Sequence, residues 1–333
     1  MRTAPDFWWR PERGWQARLL APLGEIYGRI TAERMSRPGV QLAVPVICVG
    51  NFVAGGAGKT PTALALARLL IEQGHHPAFL SRGYGGSAAL GSAVLRVDPA
   101  IPDPGQTGDE PLLLAAVAPT FVSRDRISAA RAALAEGADV LILDDGLQNP
   151  TLAKTMSVAV VDAARGFGNG ASLPAGPMRA PALAQWPHVA ALCVIGDGEP
   201  GQRAAAAAWA NGVPVWPARL VPDPAALTRL RGKPLLAFAG IGNPAKFFAT
   251  LAQSGLEVRA TRSFPDHHRF SQADLATLKR LATEVEAVLV TTDKDRVRLP
   301  PDFPTEVLPV TLSFANLDGV QARLAEAMAH FPA

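Results

Sequence analysis

Apolar residues recur along the chain in short runs separated by longer stretches of helical spacing. The runs at 44–49 (VPVICV), 77–81, 119–123, 140–145 and 157–162 are β-branched and aliphatic, and each has the length of a fully buried strand. Between them lie Ala- and Leu-rich segments such as Thr62 to Gln73, which stops at Gly74. This alternation predicts an α/β fold, a doubly wound and mostly parallel sheet with its ligand at the carboxyl ends of the strands. Apolar runs at 188–195 and 213–219 continue it.

A Pro-rich, basic stretch, Val221 to Pro234, interrupts the alternation, after which the pattern restarts. LLAFAGIG reads as a strand, Pro244 to Gln253 as a helix, Leu256 to Arg262 as a strand, and Ser271 to Glu286 as a helix capped by Ser271. Strands Ala287 to Thr292 and Glu306 to Leu312 and a helix from Leu317 to His330 follow. The expected organisation is a first α/β domain over 39–222 and a smaller α/β domain over 223–333.

The first 38 residues differ from both. Trp8, Trp9 and Trp15 are followed by Leu19, Leu23, Ile26, Tyr27 and Ile30 at spacings of three and four, while Arg18, Glu25, Arg29 and Arg34 fall largely off that face. An amphipathic helix is predicted over 1–38. Its apolar face can lie in the headgroup layer of an anionic membrane, or it can pack on its own domain, and the pattern alone leaves both readings open.

Composition sharpens this picture at three points. The net charge of +3 resides in the first 40 residues, where seven Arg face four acids, and the remaining chain carries 25 charges of each sign. A neutral body disfavours nucleic-acid binding. The only two cysteines, Cys48 and Cys193, each sit inside an apolar run, so neither a disulfide framework nor a zinc site is available and a reducing compartment is favoured. No stretch reaches the roughly 20 apolar residues needed to span a bilayer, and no signal-peptide order opens the chain, so neither spanning nor export is expected.

The strongest candidate chemistry follows the first strand. GNFVAGGAGKTP departs from the GxxxxGK[ST] pattern, because Val53 stands where its first Gly would be, but it matches the variant GGxGKT. Gly55, Gly56, Ala57 and Gly58 can bring backbone N–H groups onto phosphate oxygens at a helix N-terminus, Lys59 can reach the β/γ-phosphates, and Thr60 can ligate Mg²⁺. VLILDDG ends in Asp144 and Asp145, where a central parallel strand would deliver a carboxylate to that metal. A guanine-reading [NT]KxD motif is absent, since Lys294 is followed directly by Asp295, and ATP is therefore the expected nucleotide.

Three further polar strings sit at element ends: SRGYGG (Ser81 to Gly86), GDEP (Gly108 to Pro111) and PDHHRF (Pro265 to Phe270). Alone, GDEP reads equally as an acidic helix start and PDHHRF as a surface turn. Together with RGFGNG and LPAGPMR (Arg165 to Arg179), DDGLQ, AGIGNPAKFF and TDKD, these strings in this order resemble the tetraacyldisaccharide 4′-kinase family over nearly the whole chain.

The resemblance implies an ATP- and Mg²⁺-dependent phosphotransferase. Its acceptor would be the 4′-hydroxyl of an acylated disaccharide 1-phosphate, a lipid A precursor, at the cytoplasmic face of the inner membrane. Asp109 and His267 match an aspartate–histidine pair implicated in activating the sugar hydroxyl; Asp109 is expected as base with His267 orienting it, and the sequence leaves open which of the two takes the proton. Arg126 and Arg179 match basic positions near the transferred phosphate or the lipid's own phosphate. The family pattern carries a Glu after the latter Arg, whereas this chain has Ala180. Because Asp109 and His267 lie in different halves of the chain, the expected site is a cleft. An acceptor held in the bilayer also favours the membrane reading of the N-terminal helix. Two other functions fit the phosphate loop: a soluble small-molecule kinase or ligase, and an ATP-driven membrane-recruitment switch, neither of which needs the complete set. Oligomeric state is not readable from the sequence.

Overall fold

The computed structural model describes residues 4–91, 93–329 and 331. Met1 to Thr3, including Arg2 of the basic segment, and His330 at the end of the expected last helix lie outside the described residues. Among the described residues thirteen strands form two sheets, nine strands in the first and four in the second.

The large sheet is built on β1 (Val46–Gly50), which is buried at every position and pairs in parallel with β5 (Val140–Asp144) and β6 (Met156–Asp162). Beyond β5 lie β2 (Pro77–Ser81), β4 (Thr120–Val122) and the short antiparallel edge β3 (Leu95–Arg96). Beyond β6 lie β7 (Ala191–Ile195) and β8 (Val215–Pro222), both parallel to their neighbours. Helices cover both faces, so the central strands are apolar on both sides. Cys48 and Cys193 are free and buried within them, and burial pushes both thiols up, to about 11 and about 12. They act here as small core residues.

The small sheet runs β10 (Val258–Ser263), β9 (Leu235–Ala239), β11 (Val288–Thr291), β12 (Glu306–Val307), all parallel. The expected single strand from 306 to 312 is two strands. After β12 the chain returns to the large sheet, where β13 (Val310–Phe314) pairs antiparallel with β8. The second unit therefore ends before residue 310 rather than at 333, which corrects the expected boundary. The cause is burial: Leu312 and, in the final helix Leu317–Ala329, Val320, Leu324 and Ala327 share a core with Leu66, Leu70 and Ile47 of the large sheet's layers.

The N-terminal helix α1 (Trp15–Met35) packs through its small residues rather than its large ones. Ala17, Gly24, Gly28, Thr31 and Met35 form its buried side. A Cβ at Gly24 would lie 2.7 Å from the Ser172 carbonyl oxygen, and one at Gly28 would lie 2.8 Å from Ser172 Oγ. Trp8 and Trp9 also dock inward: Trp8 Nε1 donates to the Pro174 carbonyl at 3.0 Å, and the Arg165 guanidinium lies 4.9 Å over the Trp9 ring. The opposite side of α1 keeps Trp15, Leu19, Leu23, Ile26 and Ile30 exposed. No described helix is long and apolar enough to cross a membrane.

Candidate active site

β1 delivers the chain into the glycine loop, and α2 (Lys59–Glu72) begins at its last basic residue. Gly58 caps α2 at φ +90°, a left-handed conformation, and a Cβ there would meet Ile195 Cδ1 at 2.5 Å. Gly55 and Gly56 have open space where a side chain would stand. The loop is tied from below: Asn51 Nδ2 donates to the Gly55 carbonyl at 3.1 Å, and the Ala54 amide to the Pro177 carbonyl at 2.7 Å. Free backbone N–H groups at a helix N-terminus beside an open glycine cradle are the requirements for holding a phosphate.

The two aspartates after β5 have different roles in the geometry. Asp145, at φ +57°, receives both guanidinium nitrogens of Arg179, at 2.5 and 3.0 Å, and lies 3.7 Å from Lys59 Nζ. Burial alone would raise its carboxyl, but Lys59 and Arg179 hold it far below the usual range. Asp144, level with Val49 in the sheet, is buried, and its Oδ1 finds no hydrogen-bond partner among the described residues. Burial, with the negative charge of Glu110 adding to it, pushes its carboxyl well above the ordinary carboxylate range. A buried, unpartnered carboxylate oxygen beside a phosphate loop fits a divalent cation. Among the described residues no group of three or more His, Cys, Asp or Glu could hold a metal alone. That suits Mg²⁺, which takes one or two protein oxygens and completes its shell with phosphate and water. Thr60, in the first turn of α2, is the second protein oxygen available.

Arg126 differs from expectation. It opens helix Arg126–Ala135 and is among the largest fully buried side chains of the protein. Its Nη1 donates to the Leu80 carbonyl at 2.8 Å and its Nη2 to the Asp144 carbonyl at 3.4 Å, so it joins the ends of β2 and β5 instead of facing open space. Ala180 is fully buried, and its carbonyl accepts from Gln185 Nε2 at 2.7 Å.

Asp109 is set by glycine packing. A Cβ at Gly86 would stand 2.3 Å from the Gln106 carbonyl oxygen, and one at Gly108 (φ +82°) would stand 2.5 Å from the Tyr84 carbonyl oxygen. The SRGYGG and GDEP strings therefore press together and fix the start of helix Asp109–Ala115. From the second unit, His267, at φ +57°, places Nδ1 at 3.0 and 3.1 Å from the two Asp109 oxygens. His267 Nε2 lies 3.4 Å from Lys294 Nζ. An ammonium only donates, so Nε2 accepts, and the ring proton sits on Nδ1 and is donated to Asp109.

Two residues absent from the sequence-based set complete this group. Arg298 Nη2 makes an ion pair with Asp109 Oδ2 at 2.9 Å, and its Nη1 donates to Asp295 Oδ1 at 3.2 Å and to the Gly240 carbonyl at 2.9 Å. Lys294 is 3.5 Å from Glu110 Oε1 and 3.6 Å from Asp266 Oδ1. Lys294 lies in the short helix Asp293–Arg296 and Arg298 two residues past its end. Burial would raise the Asp109 carboxyl; the His267 hydrogen bond and the charges of Lys294 and Arg298 outweigh it and hold it at about 2. Asp109 lines a cavity of about 250 Å³, and a carboxylate oxygen can accept more than one hydrogen bond.

The neighbouring His268 has a different task. Its Nε2 lies 3.1 Å from Asp274 Oδ2 in the capping box of helix Gln272–Glu284, and its ring stacks on Phe264 at 4.8 Å. His267→Ala is expected to lower turnover at least about tenfold more than His268→Ala, whose main effect is on thermal stability. Steady-state rates and melting curves of both variants check this, and equal losses of turnover would contradict it.

A parallel sheet whose central strand runs into GGxGKT, with a strand-end aspartate beside it, defines a phosphate-loop nucleotide-binding fold with phosphotransferase chemistry. Residues 16–329 match the family model described as tetraacyldisaccharide-1-P 4′-kinase. The chain belongs to that family. It is 56% identical over 324 residues to the tetraacyldisaccharide 4′-kinase of Methylobacterium nodulans, covering 97% of this chain and 95% of the relative. With that of Methylorubrum extorquens strain PA1 it shares 54% over 328 residues, 98% and 99% of the two chains. The fold also matches the crystal structure of LpxK from Aquifex aeolicus in complex with ATP, with a TM-score of 0.73 over 94% of this chain and 99% of that one at 24% identity.

Proposed function

We propose that this chain transfers the γ-phosphate of ATP to the 4′-hydroxyl of an acylated disaccharide 1-phosphate at the cytoplasmic face of the inner membrane. The observation that carries this reading is the 3.0 Å contact between Asp109 of the phosphate-loop unit and His267 of the second unit. A membrane-recruitment switch needs no such pair.

Phosphoryl transfer asks mainly for alignment and for neutralisation of charge spread over the transferred group. The loop from Gly55 to Gly58 and the α2 N-terminus hold the phosphate chain, and Lys59 meets its terminal oxygens. Thr60 and Asp144 would hold Mg²⁺. When bound, Mg²⁺ supplies positive charge to the phosphate oxygens. Arg179 keeps Asp145 engaged and so restrains the loop beside Lys59, and buried Arg126 positions Asp144 through its carbonyl.

On the acceptor side Asp109 Oδ1 takes the proton of the sugar hydroxyl. Lys294 fixes the His267 tautomer, and His267 fixes the carboxylate. Approach of the transferred phosphate adds negative charge to the cleft, which raises the proton affinity of Asp109 at the moment it is needed.

The exposed side of α1 lies on the bilayer. Leu183 is 80% exposed on helix Ala182–Gln185, which packs beside α1, and Arg18 and Arg29 are exposed on α1 itself. An acyl-chain acceptor can then present its sugar to the cleft without leaving the membrane.

Incubation with γ-labelled ATP and acylated disaccharide 1-phosphate in mixed micelles tests the assignment. Label in the lipid is the expected result, abolished by EDTA and restored by Mg²⁺. Label released only as inorganic phosphate would point to the switch, and label appearing only in a water-soluble acceptor would point to a different kinase.

A further inference from the structure

Two guanidinium groups, those of Arg269 and Arg298, and one carboxylate, that of Asp109, line the cavity. Of its lining residues, Arg298 is committed to Asp109 and Asp295, and nearby Lys294 to Glu110 and Asp266. Arg269 lines the same cavity two residues beyond His267, is exposed, and has no carboxylate within ion-pair distance among the described residues. The turn that holds it is fixed at both ends: His267 N donates to the Gly240 carbonyl at 3.1 Å, and Ser271 caps the following helix. Arg269 therefore presents a guanidinium with free donors from a held backbone into a cavity whose other cations are spoken for.

At about 250 Å³ the cavity falls below the usual size of a small-molecule site, roughly 300–1,000 Å³. It takes part of a disaccharide and leaves the rest outside, and Arg269 is the exposed cation of its lining. The family is described as acting on a disaccharide that carries a 1-phosphate. That phosphate is the only strongly anionic group on the sugar portion, and a guanidinium is the side chain best shaped to pair with it through two parallel N–H donors.

Resting on the kinase reading above, we infer that Arg269 forms the subsite for the phosphate already present on the acceptor, and so selects phosphorylated over unphosphorylated disaccharide. It is a specificity residue that takes no part in the proton transfer. Because the contact forms in the ground state and persists through the reaction, its loss acts on KM for the acceptor more than on kcat.

The test compares wild type, Arg269→Ala and Arg269→Lys on two acceptors: the acylated disaccharide 1-phosphate and the same lipid with a free 1-hydroxyl. Loss of a charged, bidentate contact is expected to lower kcat/KM on the 1-phosphate about 10- to 100-fold, chiefly through KM, with Lys recovering part of it. On the 1-hydroxyl lipid wild type and variants should be equal, and KM for ATP should be unchanged in all three. An equal loss on both lipids, no loss on either, or a raised KM for ATP would overturn the subsite, the last by assigning Arg269 to the nucleotide's phosphates. If wild type phosphorylated neither lipid, the kinase reading itself would fall and the subsite with it.

Discussion

Replacing Asp109 by Asn lowers kcat by about 10²–10⁴-fold while leaving ATP affinity near wild type. The amide keeps the size of the carboxylate and can still accept the His267 Nδ1–H, but it cannot take up the acceptor's proton. ATP binding is spared because the phosphate loop is built on β1 and α2, neither of which Asp109 holds. Single-turnover rates with saturating labelled ATP, alongside nucleotide binding by fluorescence, check both halves. A variant that loses nucleotide binding in parallel with turnover would reassign Asp109 to the nucleotide.

The same substitution has a pH signature. With its folded pKa lowered to about 2 from the ordinary 3.8, the Asp109 carboxylate contributes stability that is present above pH ~4 and lost as pH falls toward 2. The shift corresponds to about 2 kcal/mol. Asp109→Asn should therefore be less stable than wild type at neutral pH, and the gap should narrow as pH falls from about 4 toward 2. Denaturant titrations at pH 7 and pH 3 give the comparison.

Changing Leu19, Ile26 and Ile30 together to Glu is expected to reduce binding to anionic vesicles by at least about 10²-fold. Each side chain forfeits the roughly 1.5–3 kcal/mol of burying an aliphatic group, and each Glu adds repulsion from anionic headgroups. All three are exposed on α1, at 71%, 58% and 62%, so the fold has no use for them and melting temperature should change little. Co-sedimentation with phosphatidylglycerol vesicles reads the effect. Retained binding would move the membrane contact elsewhere on the protein.

How far the sequence could be read depended on whether a feature is local. The β1–loop–α2 junction was legible because glycine, Lys59 and Thr60 must be adjacent to do their work. The large sheet was legible because central strands buried on both faces are continuously apolar. The end of the chain was not: β13 alternates buried Leu312 with exposed neighbours, and nothing nearby says whether it pairs with β12 or with β8. Arg298 was missed because its partner Asp109 is far away in sequence and only the meeting of two sheets joins them. α1 gives the opposite lesson. Its hydrophobic stripe was visible, yet its packing side is made of Ala17, Gly24 and Gly28, residues that carry almost no hydrophobic signal and work by permitting close approach.

The pairing of Pro222 with Val310 has a mechanical consequence. The chain leaves for the His267-bearing lobe and comes back through two adjacent antiparallel strands, so that lobe is an insertion at the tip of what would otherwise be a hairpin. A double-stranded tether resists twisting but bends easily across its plane. Opening and closing of the cleft should follow a single rocking coordinate, along which His267, Lys294 and Arg298 arrive at or leave Asp109 as one rigid body.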